Sequence, residues 1–287
     1  MNIYSDISKA RLVHVGWELG LERLLSGYKA LQDPKIHAEC GLGRWIRERG
    51  QAKYESYGEL DTLLNVHEKF HSLADEIISR KEQGHTDVPS EIVMKMHKCS
   101  REVVYLLTRL ELSVRMDKKD FTPLTHAFRG LKVLLGGNLG GDPFRMAPRP
   151  RMVDWLSFDV LRRRSLAAAI DINAARLNHM LWARDLELVL GSLGGVARQR
   201  QVPDADECYL GSWLNGAARE DIEDDSLLKI LSATHKEFHT QVIKAISSLR
   251  HDDDAAVHDS INEINGLSRD LILALTHAEF KAARRVL

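Results

Sequence analysis

The chain contains one pattern of residues twice. Around Cys40 it reads Glu-Cys-Gly-Leu-Gly-Arg-Trp and around Cys208 Glu-Cys-Tyr-Leu-Gly-Ser-Trp. Both runs are Glu-Cys-x-Leu-Gly-x-Trp, and the cysteines lie 168 positions apart. The same offset carries Trp45 to Trp213, His67 to His235, Phe70 to Phe238 and His71 to His239. It also carries Ser100-Arg101-Glu102 to Ser268-Arg269-Asp270. Upstream of the cysteine the offset is 165, taking Ala10-Arg11-Leu12-x-His14 to Ala175-Arg176-Leu177-x-His179 and Trp17 to Trp182. A three-residue difference between His14 and Cys40 is what a loop absorbs cheaply. Self-similarity at a fixed offset marks a repeated structural unit. The chain therefore divides into a first copy, 1–117, an intervening segment, 118–164, and a second copy, 165–287.

The segment between the copies has a different composition. Residues 112–165 hold four of the seven prolines and the run LLGGNLGGDP, which ends helices and marks loops. They also hold 11 Lys or Arg against 5 Asp or Glu, in a chain whose formal net charge is −1. The segment reads as a basic, partly helical linker, with FTPLTHAFRGLKVLL as its helix, docking on two mildly acidic copies.

Inside the copies the apolar spacing is helical. RLVHVGWELGLERLLSG, LDTLLNVHEKFHSLADEIISR and SEIVMKMHKCSREVVYLLTRLELSV each place apolar residues three and four apart. Asp33 before Pro34 predicts the start of a further helix carrying Cys40. The stretch from Trp155 to Leu190 predicts one long helix entering the second copy. Four amphipathic helices per copy predict an all-α protein of two antiparallel four-helix bundles in tandem.

Composition excludes several classes. A hydrophobic content of 44% with 28% charged residues is that of a folded soluble domain. Near-neutral net charge argues against a nucleic-acid binder. The absence of a long apolar run argues against membrane insertion, and the N-terminus lacks a signal-peptide core, so a cytoplasmic location is expected. Three cysteines do not make a disulfide framework.

The histidines, 13 in all, are the unusual count. His67 and His71 stand one helical turn apart on one face, as do His235 and His239. One cysteine and one further histidine survive the duplication in each copy: Cys40 with His14, and Cys208 with His179. Three imidazoles and a thiolate make a tetrahedral ligand set for Zn²⁺, and thiolate with imidazole favours zinc over magnesium or calcium. The duplication acts as a filter. His97 aligns with Asn265, His277 with Arg109 and Cys99 with Leu267, and His85, His126, His251 and His258 have no matching histidine. His37, which aligns with Ala205, remains an alternative ligand in the first copy alone. Trp17, Trp45, Trp182 and Trp213 read as packing residues, with Trp17 on the His14 side of its helix. Glu39 and Glu207 are either hydrogen-bond partners of a ligating histidine or solvated carboxylates. Gly43 and Gly211, two residues before a tryptophan, predict close helix approach.

An early His with Trp three residues on, then Cys-x-Leu-Gly-x-Trp, then His-x-x-Phe-His, resembles the chemoreceptor zinc-binding (CZB) domain in both copies. The resemblance implies a four-helix bundle with zinc held by His14, Cys40, His67 and His71 in the first copy. In the second it implies His179, Cys208, His235 and His239, hence two Zn²⁺ per chain. Such domains sit on bacterial cytoplasmic chemoreceptors or diguanylate cyclases and sense zinc or thiol oxidants such as hypochlorous acid. By this resemblance Cys40 and Cys208 are redox-switch cysteines. The expected function is regulatory, not enzymatic, with a signalling partner in chemotaxis or cyclic-di-GMP pathways. The two copies are also suited to an internal pseudo-dimer or to homo-oligomers. The chain departs from the family pattern in having two copies and no receptor coiled coil or cyclase signature; the Gly-Gly-Asp at 140–142 lacks the following Glu-Phe. The alternatives are a metal-stapled interaction scaffold and a hemerythrin- or ferritin-like iron protein, which needs bridging carboxylates that the repeated set lacks.

Overall fold

A computed structural model describes residues 6–27, 40–85, 87–118, 157–191 and 202–284. The chain divides into two compact units, Met1–Lys118 and Lys119–Leu287. Both are all-α among the described residues.

The first unit contains α1 (Asp6–Leu25), α2 (Gly41–Trp45), a π-helical turn (Ile46–Gly50), α3 (Gln51–Tyr54), α4 (Glu59–Glu82) and α5 (Ser90–Asp117). The second contains α6 (Ser157–Gly191), α7 (Tyr209–Asn215), α8 (Ala218–Asp221), α9 (Asp225–Arg250) and α10 (Asp254–Ala283). The long helix expected to enter the second copy is thus α6. It begins at Ser157, so the sequence boundary at 164 falls within a continuous helix. The linker helix expected over FTPLTHAFRGLKVLL lies outside the described residues.

Each unit places its first long helix antiparallel to its last. In the first unit Ser8 and Arg11 meet Glu111, Arg11 also meets Thr108, His14 meets Ser100, and Glu18 meets His97, so rising numbers on α1 pair with falling numbers on α5. One apolar cluster, including Leu42, Trp45, Leu63, Leu107 and Leu110, fills the end nearest α2 and α3. A second, including Leu21, Phe70, Ala74, Met96 and Cys99, fills the other end.

A buried polar contact between first and last helix recurs in both units, in the first unit at the level of Ile7, Ala10, Leu107 and Leu110. The buried Arg11 Nη1 donates to Glu111 Oε2 at 2.8 Å, and Ser8 Oγ donates to Glu111 Oε1 at 2.9 Å. In the second unit Arg176 Nη1 donates to Glu279 Oε2 at 2.5 Å and to Thr276 Oγ1 at 3.2 Å, and Arg176 Nη2 donates to the Asn173 side chain. Every one of these arginines and glutamates is at most 1% exposed. A buried charge is tolerated only when paired and hydrogen-bonded, so each pair locks first helix to last in one register.

Candidate metal centre

The cysteines begin helices rather than sitting inside them. Cys40 has φ −59° and ψ 134°, outside the helical region, and its Sγ accepts the Gly43 N–H at 3.3 Å. Cys208 has φ −68° and ψ 163°, and its Sγ accepts the Gly211 N–H, also at 3.3 Å. Sulfur thus takes the place that a serine or aspartate oxygen usually holds at a helix start. This corrects the expectation of a helix running from Asp33 through Cys40: the helix starts at Gly41. Positions 33 and 34 are outside the described residues.

The two histidines of α4 converge on this sulfur. Cys40 Sγ lies 3.3 Å from His67 Nε2, and His67 Nε2 lies 3.2 Å from His71 Nε2. In the second unit Cys208 Sγ lies 3.1 Å from His235 Nε2. Cys40, His67 and His71 form one metal-capable group and Cys208, His235 and His239 a second. A tetrahedron with metal–ligand bonds of about 2.0–2.3 Å has edges of roughly 3.3–3.8 Å, so these atoms stand at or slightly inside the spacing that a bound zinc would set.

His14 and His179 are buried beside these groups but are not drawn into them. The His14 ring is 6.1 Å from the His67 ring, centre to centre, and its Nε2 is 3.0 Å from Ser100 Oγ. His179 Nε2 is 3.1 Å from Ser268 Oγ. The fourth expected ligand therefore has a serine partner in each unit.

Aromatic rings wall the groups. Trp17 meets His71 edge-on at 4.7 Å, and Trp182 stacks on His239 at 5.1 Å and 18°. Phe70 packs against His14 at 4.7 Å and Phe238 against His179 at 4.8 Å. Trp45 and Trp213 are core residues, and the Trp213 Nε1–H donates to Asp221 Oδ2 at 3.1 Å.

The electrostatics favour ligand-ready imidazoles. Burial first, then the neighbouring His239, holds His235 down to about 2 and His179 down to about 3. Burial also lowers His239, opposed by its hydrogen bond to the Pro203 carbonyl oxygen at 3.1 Å. These imidazoles are neutral at physiological pH and offer lone pairs. Burial pushes the Cys208 thiol up to about 11 and raises Cys40, against the lowering pull of the N–H groups at each helix start. The thiol therefore keeps its proton until a cation displaces it.

The remaining expected residues fall differently. Glu207 is exposed, which fits a solvated carboxylate, and the polar partner of His239 is the Pro203 carbonyl. Glu39 and His37 are outside the described residues. Gly211 admits a close approach, though not of a helix: a Cβ there would overlap the carbonyl oxygen of Ala205, in the turn just before α7. Gly211→Ala must displace the 205–208 segment that delivers Cys208. It is expected to weaken the second site at least tenfold, the order seen when support of a metal ligand is lost. The first site stays unchanged, and a two-step zinc competition titration separates the two.

Three residues escaped the duplication filter. His97 Nδ1 is 3.4 Å from the fully buried Glu18 and 3.9 Å from Glu22. The hydrogen bond to Glu18 raises His97 despite its burial. The i, i+4 glutamates were a visible signal, but their counterparts are Ala183 and Glu187, and Asn265 replaces the histidine. The cluster belongs to the first unit alone.

Comparison with known families adds one finding. Residues 14–78 match the chemoreceptor zinc-binding domain. The match starts at His14, takes in Cys40, His67 and His71, and ends within α4. It does not reach the second unit, whose likeness to the CZB domain rests on the internal repeat. No curated protein and no solved structure matches the chain. Among the described residues no helix is long and apolar enough to cross a membrane.

Proposed function

We propose that this chain is a cytoplasmic zinc-binding regulatory protein of two CZB-type units. Each unit holds one zinc through a cysteine and three histidines, and the pair signals to a partner protein without catalysing a reaction. The observation that carries this reading is the recurrence of one Cys–His–His group, with matching sulfur–imidazole contacts, in both units. The CZB match over residues 14–78 supports zinc as the ion at the first site. Bound zinc supplies the positive charge that keeps a buried thiol ionised.

The chain's own residues account for the switching. Cys40 Sγ serves both the ligand group and the start of α2, and Cys208 Sγ does the same for α7. Hypochlorous acid takes a thiolate to sulfenic acid with release of chloride. An oxidised sulfur loses its place in the ligand group and its cap on the helix together. The short helix is then released from α4 or α9, a local change with a longer-range readout.

Purified chain is expected to carry about two zinc ions. Mass spectrometry after low-dose hypochlorous acid should find Cys40 and Cys208 modified before Cys99, because the ion keeps those two sulfurs ionised whereas burial raises the Cys99 thiol. Iron in place of zinc would sink the metal assignment, and earlier oxidation of Cys99 would sink the redox part.

A further inference from the structure

In both units the same side-chain pair sits at the edge of the ligand group. His14 Nε2 meets Ser100 Oγ at 3.0 Å, and His179 Nε2 meets Ser268 Oγ at 3.1 Å. All four residues are at most 4% exposed, so water does not compete for these bonds. Each serine lies on the last long helix of its unit, α5 or α10, whereas cysteine and histidine pair come from α2 and α4 or from α7 and α9. The serines are related by the repeat offset, so the arrangement occurs twice in one chain.

We propose that Ser100 and Ser268 are latches that compete with the metal for the fourth ligand, His14 or His179. The inference rests on the zinc reading above and goes beyond it. A neutral imidazole has one nitrogen lone pair. With that lone pair on Nε2, the serine hydroxyl donates to it, and a metal can take it only by breaking that bond. The Cys–His–His group gives up only contacts among its own members, because its three ligand atoms already face one another. Each site therefore has a fixed three-residue core and one releasable arm. A structural zinc site keeps all four ligands closed, whereas a site that must load and unload benefits from a ligand with somewhere else to go. The latch weakens binding by the strength of one buried hydrogen bond and speeds release.

The test is Ser100→Ala with Ser268→Ala in the full chain, measured by zinc competition with a chromogenic chelator and by the rate of zinc release. A net hydrogen bond of about 1 kcal/mol corresponds to about fivefold in affinity. The variant should bind zinc about fivefold more tightly at each site and release it more slowly. Ser100→Thr with Ser268→Thr, which keeps the hydroxyl, should restore the original behaviour. In a His14→Ala, His179→Ala background the serine substitutions should change nothing, because the latch has no arm to hold. Unchanged or weaker binding in the serine variant overturns the latch, and so does tightening that persists without the histidines. An unaltered chain that binds no zinc would instead overturn the zinc reading itself.

Discussion

Replacing Cys40 and Cys208 together with alanine is expected to strip the chain of tightly held zinc. Each sulfur stands 3.1–3.3 Å from the Nε2 of the first histidine of its pair, so it belongs to the Cys–His–His group rather than standing beside it. Structural zinc sites with four protein ligands carry on the order of 10 kcal/mol or more of binding free energy. Loss of the anionic ligand removes a large share of that, so affinity should fall by roughly a hundredfold or more. The substitution has a second effect, because the same atoms accept the Gly43 and Gly211 N–H groups. Losing a cap costs about 1 kcal/mol. Cys40→Ser with Cys208→Ser separates the two: the serine oxygen restores a cap but is a poor zinc ligand. Circular dichroism should show helix content recovered in the serine pair while zinc content stays low. Stoichiometric zinc retained by the alanine pair contradicts the assignment.

The second large effect concerns the frame that holds the site. Glu111→Leu leaves Arg11 buried at 0% exposure without its acid, and Glu279→Leu does the same to Arg176. Breaking a buried ion pair from one side costs about 3–5 kcal/mol. In units of this size the loss should lower the melting temperature of the affected unit by on the order of 10 °C or more. Replacing both partners, as in Arg11→Met with Glu111→Leu, should recover most of the loss, because no charge is left stranded. A calorimetric scan in which the single and paired substitutions melt alike would show that the pairs do not set the register. Zinc content of the single variants tells whether the frame also holds the ligands, since α1 carries both Arg11 and His14.

Much of this architecture is legible in the sequence. Apolar residues three and four apart predict helices because each turn must return its apolar face to the core. The spacing of His67 and His71 places two imidazoles one turn apart whatever α4 packs against. The duplication separates the six repeated histidines and two cysteines from the rest, and the structure groups four of those histidines with the two cysteines. That filter also had a cost. It set aside His97, which meets Glu18 and Glu22 only because α1 and α5 pack antiparallel at that level. Glu111 and Glu279 were equally hard to see, because a buried glutamate and a surface glutamate look alike until the facing arginine is known.

The Cys–His–His grouping within each copy and the helical class were therefore determined by the sequence itself, because they depend on local spacing and on the repeat. Where each sulfur sits was decided by the tertiary structure. Cys40 and Cys208 lie at helix starts, a matter of backbone angles that residue types alone leave open. The tertiary structure also decided what His14 and His179 face. Their serine partners lie 86 and 89 residues away in sequence, and only the packing of first helix on last brings such side chains within hydrogen-bond reach.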